Sequence, residues 1–93
     1  MEESAALEVV EVALAKGIKY FDTAPVYGSG LAETRLGLGL GSARAKLVTI
    51  SSKVGRLLIK DGKGAVIEAT FNYTPNGIRQ SMEESLERLQ LPK

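Results

Sequence analysis

Tyr20-Phe21-Asp22-Thr23-Ala24-Pro25-Val26-Tyr27-Gly28-Ser29-Gly30 carries an apolar segment, Ile18 to Phe21, into a carboxylate and then into a Pro- and Gly-rich loop with a tyrosine inside it. A second short strand-like run, Leu47-Val48-Thr49-Ile50-Ser51-Ser52, ends at Lys53. Asp22, Tyr27 and Lys53 therefore all fall where a strand gives way to a loop, the edge at which parallel-sheet proteins place their chemistry. Two strands joined by a helical crossover are parallel and present their C-terminal ends at the same edge. Neighbouring strands lie about 4.8 Å apart, so Asp22 and Lys53 meet if the strands are adjacent and their side chains face alike. Alternation puts Tyr20 with Asp22 on one face of the first strand, and Thr49, Ser51 and Lys53 on one face of the second. Phe21, Val48 and Ile50 are left to pack under helices.

A tyrosine beside a lysine has a specific chemical use. Free tyrosine ionises near pH ~10, too high for ready proton exchange at neutral pH. A cation within reach favours the phenolate, by about 1–3 units of pKa when the pair is desolvated. An aspartate on the far side of the lysine keeps the ammonium charged and aimed. Such a set suits general acid–base catalysis, in which a positioned proton donor contributes roughly 10²–10⁴-fold. The alternative is a structural Asp–Lys pair with the tyrosine as a lid over the core, and spacing alone favours that alternative.

Working outward, the pattern predicts helix, strand, helix, strand, helix. The first helix is expected over about Ser4 to Lys16, with Ser4 as N-cap, Gly17 as stop and Leu7, Val10 and Leu14 as the apolar stripe. Glu2 and Glu3 sit at the end where negative charge helps. The last helix opens at Thr74-Pro75, cap then proline, with Ile78, Met82, Leu86 and Leu89 as its stripe and Glu84 with Arg88 as an i,i+4 pair. Between the strands, Leu36-Gly37-Leu38-Gly39-Leu40-Gly41 alternates at period two and reads as a strand, and each glycine costs a helix about 1 kcal/mol relative to alanine. Two parallel strands still need a long crossover. Leu31 to Ala45 is the only segment available, so helix is the reading there, with Gly37 serving tight helix–sheet packing. The order G-S-G-L-A-E lacks the lysine and hydroxyl of a P-loop. Between Lys53 and Thr74, Asp61-Gly62-Lys63-Gly64 is a turn signal flanked by Leu57-Leu58-Ile59 and Ala65-Val66-Ile67, the signature of a small hairpin.

The segments FDTAPVYGSGLAETRLG, ISSKVGR and IRQSMEESLERLQL, in this order and spanning Gly17 to Leu91, resemble the aldo-keto reductases. The resemblance implies an α/β chain that forms part of a (β/α)₈ TIM barrel. It also implies NADP- or NAD-dependent interconversion of carbonyl and alcohol groups. Asp22, Tyr27 and Lys53 match three members of that family's catalytic tetrad: the tyrosine as proton donor, the lysine tuning it, the aspartate holding the lysine. Asp22 is also the expected cofactor-binding residue. The length of the 53–74 loop and its VGRLL opening resemble the aldose and pyridoxal dehydrogenases, which makes aldehydes, aldoses or pyridoxal-like molecules the expected substrates. Ala32 stands where the family usually has serine, and Gly39 where alanine is common. The tetrad's histidine belongs to the following strand, and this sequence has no histidine. Residues 1–93 therefore read as an N-terminal segment of such a barrel, its first strand and everything after the third helix absent. Barrels of this type need about 250 residues. The segment alone is expected to be inactive, and its open sheet edges offer a route to self-association. The alternatives are a non-catalytic nucleotide- or protein-binding module on the same fold, or an inactive truncated product.

Composition narrows the field further. The 93 residues carry a net charge of +1 without a basic run, so nucleic acid has no electrostatic footprint. Without Cys or His, thiol chemistry and the usual zinc sites are excluded. The absence of Cys fits a reducing compartment, and a cytoplasmic location is the expectation. No segment approaches the roughly 20 apolar residues of a membrane span.

Overall fold

The computed structural model describes residues 2–92. Helix α1 (Glu3–Ala15) leads into strand β1 (Tyr20–Asp22), and a tight turn over Tyr27–Gly30 opens helix α2 (Leu31–Ala45). Strand β2 (Thr49–Ser51) follows, then a hairpin of β3 (Arg56–Lys60) and β4 (Val66–Phe71), and last helix α3 (Pro75–Leu89). β1 and β2 pair in parallel with Tyr20 opposite Thr49 and Asp22 opposite Ser51. The crossover between them is α2, so the need for a long connection overrides the strand-like alternation of its glycines. β3 and β4 form a separate antiparallel pair around the Asp61–Gly64 turn, which the Asp61 carboxylate fastens by accepting from the amides of Lys63 and Ala65.

The strand faces divide as alternation requires. Phe21, Val48 and Ile50 pack onto a core of Val10, Leu36, Leu40 and Leu89, drawn from all three helices. Tyr20, Asp22 and Thr49 face away from it and are exposed. In α1 the expected stripe holds: Val10 is buried, with Leu7 and Leu14 beside it partly so. Gly17 lies at φ 86°, just past the helix end, as its role of stop demands. Ser4 is not the cap, however. The helix already includes Glu3, the residue in the cap position is Glu2, and no side chain caps the N-terminus. The favourable charge of Glu3 in the first turn serves instead. α3 opens as expected, with the Thr74 hydroxyl accepting from the Gly77 amide and proline following.

Three expectations about side chains need correction. Ile78 and Met82 are exposed, and the face of α3 that is buried consists of Gly77, Ser81, Ser85 and Leu89. Small residues win that face because the hairpin lies against it, close enough for the Ser81 hydroxyl to donate to the Arg56 carbonyl. Arg88 does not pair with Glu84; it turns to Glu33 of α2, while Glu84 accepts from Gln80. A buried carboxylate holds a guanidinium more firmly than a solvated neighbour one turn away. Gly37 serves helix–helix packing rather than helix–sheet packing, since a Cβ there would stand 2.6 Å from the Leu89 carbonyl oxygen. Gly39 likewise admits Val10 of α1. The two helices are clamped besides by Arg44, which pairs with Glu11 at 2.6 Å and donates to the Leu40 carbonyl.

Candidate active site

The C-terminal ends of β1 and β2 stop level with one another, Asp22 against Ser51. Beyond them the Thr23 amide donates to the Ser51 carbonyl, the last rung before the two chains part. Thr23, Ala24 and Pro25 are then buried, which anchors the loop before it reaches Tyr27. Its backbone turns tightly there: Gly28, Ser29 and Gly30 all have positive φ. Gly30 closes the turn as the N-cap of α2 in the left-handed region, where glycine alone is free of strain. The phenol of Tyr27 is left half-exposed at the sheet's edge.

Lys53, two residues past β2, reaches back over this edge. Its ammonium lies 3.5 Å from an Asp22 carboxylate oxygen and 5.2 Å from the centre of the Tyr27 ring, and it donates to the Thr23 carbonyl at 3.3 Å. The three residues that the sequence singles out are thus brought together, with the lysine between aspartate and tyrosine. Desolvation works against the charged lysine, but hydrogen bonding to Tyr27 and the Asp22 charge outweigh it, so its pKa is raised. The Asp22 carboxyl is held below its usual range, first by the Ser51 hydroxyl donating to it at 2.5 Å, then by Lys53. Each partner therefore favours the ionised form of the other. Asp22 retains lone pairs and exposure enough to accept from the hydroxyls of a bound molecule. A phenol, an ammonium and a carboxylate in this order can pass a proton to an oxygen set against the ring's hydroxyl and support the charge left behind.

Sequence reasoning does not assign the residues that hold these three. Alternation puts Ser51 on the same face as Lys53, but its bond to Asp22 is visible only once the strands are in register. Ser52, Glu33 and Arg88 form a network centred on the buried Glu33: the exposed Ser52 donates its hydroxyl to one Glu33 oxygen at 2.7 Å and Arg88 Nε donates to the other at 2.8 Å. The burial of Glu33, whose side chain is 0% exposed, leaves no trace in local sequence pattern. Among the described residues no cluster of acidic side chains has the makings of a metal site, and no helix is long and apolar enough to cross a membrane.

Comparison with known proteins bears on this site. Residues 1–93 match the aldo/keto reductase family. The chain is 35% identical over 107 aligned positions to D-threo-aldose 1-dehydrogenase of a Pseudomonas species, covering 100% of this chain and 32% of that protein. It is 37% identical over 91 positions to L-galactose dehydrogenase of Arabidopsis thaliana, covering 96% of this chain and 25% of that protein. The fold superimposes on the holo form of an aldo-keto reductase from Bacillus halodurans with a TM-score of 0.79 and 29% identity, over 97% of this chain and 28% of that one. The chain thus spans about a third or less of the length of these relatives.

Proposed function

The chain belongs to the aldo/keto reductase family, its described elements forming part of a (β/α)₈ barrel, and from that premise we propose that it serves NAD(P)(H)-dependent interconversion of carbonyl and alcohol groups in small aldehydes, aldoses or pyridoxal-like molecules. The observation that carries this reading is the convergence of Asp22, Lys53 and Tyr27 at the open edge of the parallel strands. The polar groups present suit the ribose–nicotinamide end of the cofactor, since Asp22 is an ionised, half-exposed acceptor for ribose hydroxyls. When bound, the reduced nicotinamide supplies hydride to the carbonyl carbon.

The chain's own residues supply the proton. Tyr27 gives its phenolic proton to the carbonyl oxygen, which becomes the hydroxyl of the alcohol product, and the Lys53 ammonium supports the negative charge that develops on the phenol oxygen. In the oxidative direction the same atoms run in reverse, the phenolate taking the proton from the alcohol. Asp22 does not touch the reacting oxygen in this scheme; it keeps Lys53 charged and aimed. The place of aldoses among these substrates accords with the aldose dehydrogenase among the relatives, and the absence of cysteine accords with a reducing, cytoplasmic setting.

The test is Tyr27→Phe in the protein expressed from its whole reading frame, assayed by NAD(P)H absorbance with aldehyde and aldose substrates. A loss of at least about 10²-fold in turnover is expected, with nucleotide affinity retained because the phenol acts only on the substrate oxygen. Near-normal turnover of the variant refutes the assignment and moves the non-catalytic binding module ahead.

A further inference from the structure

We infer that Glu33, together with Arg88 and Ser52, is a positioning unit that fixes Lys53 and the Tyr27 turn relative to one another; the inference rests on the catalytic reading above. The starting point is a deficit. Lys53 lies outside the β-ladder, which ends with Ser51 opposite Asp22. Its pairing with Asp22 is half-exposed and 3.5 Å long, and such pairs hold a flexible side chain only weakly. Something else fixes the backbone from which the lysine springs.

Ser52 is the neighbouring residue, and its hydroxyl is bound to a carboxylate that cannot move. Both Glu33 oxygens are engaged by different donors, Ser52 on one and Arg88 Nε on the other, so the carboxylate's rotation is fixed as well as its place. Glu33 is fully buried, and freeing it from either donor leaves an unmatched acceptor out of reach of water. It also sits in the first turn of α2, where the helix dipole favours negative charge.

The same unit bears on the tyrosine. Glu33 lies three residues after Gly30, the N-cap that closes the Tyr27–Gly30 turn. A Cβ at Gly30 would stand 3.2 Å from Cδ of Arg88 and 3.0 Å from Leu58, so the turn rests directly on the arginine's stem. Arg88 is itself held where the backbone of α3 meets Gly37, with its carbonyl oxygen 2.7 Å from where a Cβ would be. One buried ion pair thus supports the loop carrying the proton donor and, through Ser52, the loop carrying the cation.

A merely structural ion pair and a positioning unit differ in what Lys53 feels. The experiment is an NMR titration of the Lys53 ¹³Cε signal in the protein expressed from its whole reading frame. Ser52→Ala leaves the Glu33–Arg88 pair in place and removes only the tether. It is expected to bring the Lys53 titration down toward the ordinary lysine value of 10.5 with the rest of the amide spectrum unchanged, while Ser52→Thr, which keeps the hydroxyl, preserves the original midpoint. Glu33→Gln is expected to act in the same direction; because it also disturbs a buried charge, Ser52→Ala is the deciding variant. An unchanged Lys53 titration in Ser52→Ala overturns the inference. Asp22→Asn and Tyr27→Phe separate this from a failure of the catalytic reading. If either one moves the Lys53 titration, the lysine is coupled to its neighbours whatever Ser52→Ala shows, and the catalytic reading itself is decided by the turnover of Tyr27→Phe. If neither does, the triad falls and the positioning unit falls with it.

Discussion

Glu33–Arg88 and Asp22–Lys53 are both pairs between an acidic residue and a basic one far along the chain, and they are linked through Ser52, which bonds Glu33 and precedes Lys53. The first measures 2.8 Å, with side chains 0% and 16% exposed; the second measures 3.5 Å, with side chains 56% and 53% exposed. In the dry pair, every movement strands a charge away from water, so it serves to hold three segments of chain together. In the wet pair, solvent screens the attraction and lets the groups adjust, so it adds little to stability but stays open to a ligand. Burial thus separates an ion pair suited to holding the fold from one left open to a ligand.

The largest effect expected from this contrast is on stability. Glu33→Ala leaves Arg88 largely buried without its partner, at a cost of roughly 3–5 kcal/mol, readable as a lowered urea midpoint. If the variant melts like the parent, the dry pair is not what holds these segments. Next comes Gly37→Ala, which leaves both pairs intact. The new methyl meets the carbonyls of Arg88 and Leu89 at 2.6–2.7 Å, backbone atoms that cannot swing aside, and overpacking of this kind costs about 1–3 kcal/mol. Stabilisation by alanine there, as helix propensity alone would give, would mean that α2 and α3 do not meet closely at this glycine.

A smaller effect attends acid. The Asp22 carboxyl is held below its ordinary 3.8 by the Ser51 hydroxyl and then by Lys53. Its contribution to stability is therefore present above that ordinary value and fades as pH falls through the lowered one. Asp22→Asn removes this component of acid sensitivity and changes the neutral-pH melting point little. A large loss of stability at neutral pH would place Asp22 in the same structural class as Glu33 and erase the comparison.

The two pairs also differ in how far they can be read from sequence. Asp22 and Lys53 each end a short apolar run, and two-residue alternation with a parallel crossover is enough to bring them to one edge. The 61–64 hairpin and the Thr74 cap follow from local turn and cap signals, and the helical crossover between β1 and β2 follows, against its own glycine pattern, from the length a parallel connection requires. Glu33 and Arg88 stand 55 residues apart on helices whose relative placement depends on Gly37 admitting a carbonyl. Nothing within a turn of either residue marks it as buried, and Glu84, one turn before Arg88, offers a nearer partner on paper. The exposed Ile78 and Met82 show the same limit from the other side. Periodicity identifies an apolar stripe, but the hairpin packs on the small residues beside it, which no helical pattern reveals.

Lys53→Met, with turnover and thermal melting recorded on the same preparation of the protein from its whole reading frame, tests the division of labour most directly. Methionine keeps the length and apolar stem of lysine while removing its charge. The predicted result is a loss of at least about 10²-fold in carbonyl reduction with an unchanged melting temperature. Retained turnover accompanied by a marked drop in melting temperature would contradict it, because the Asp22–Lys53 pair would then belong to the scaffold and not to the chemistry.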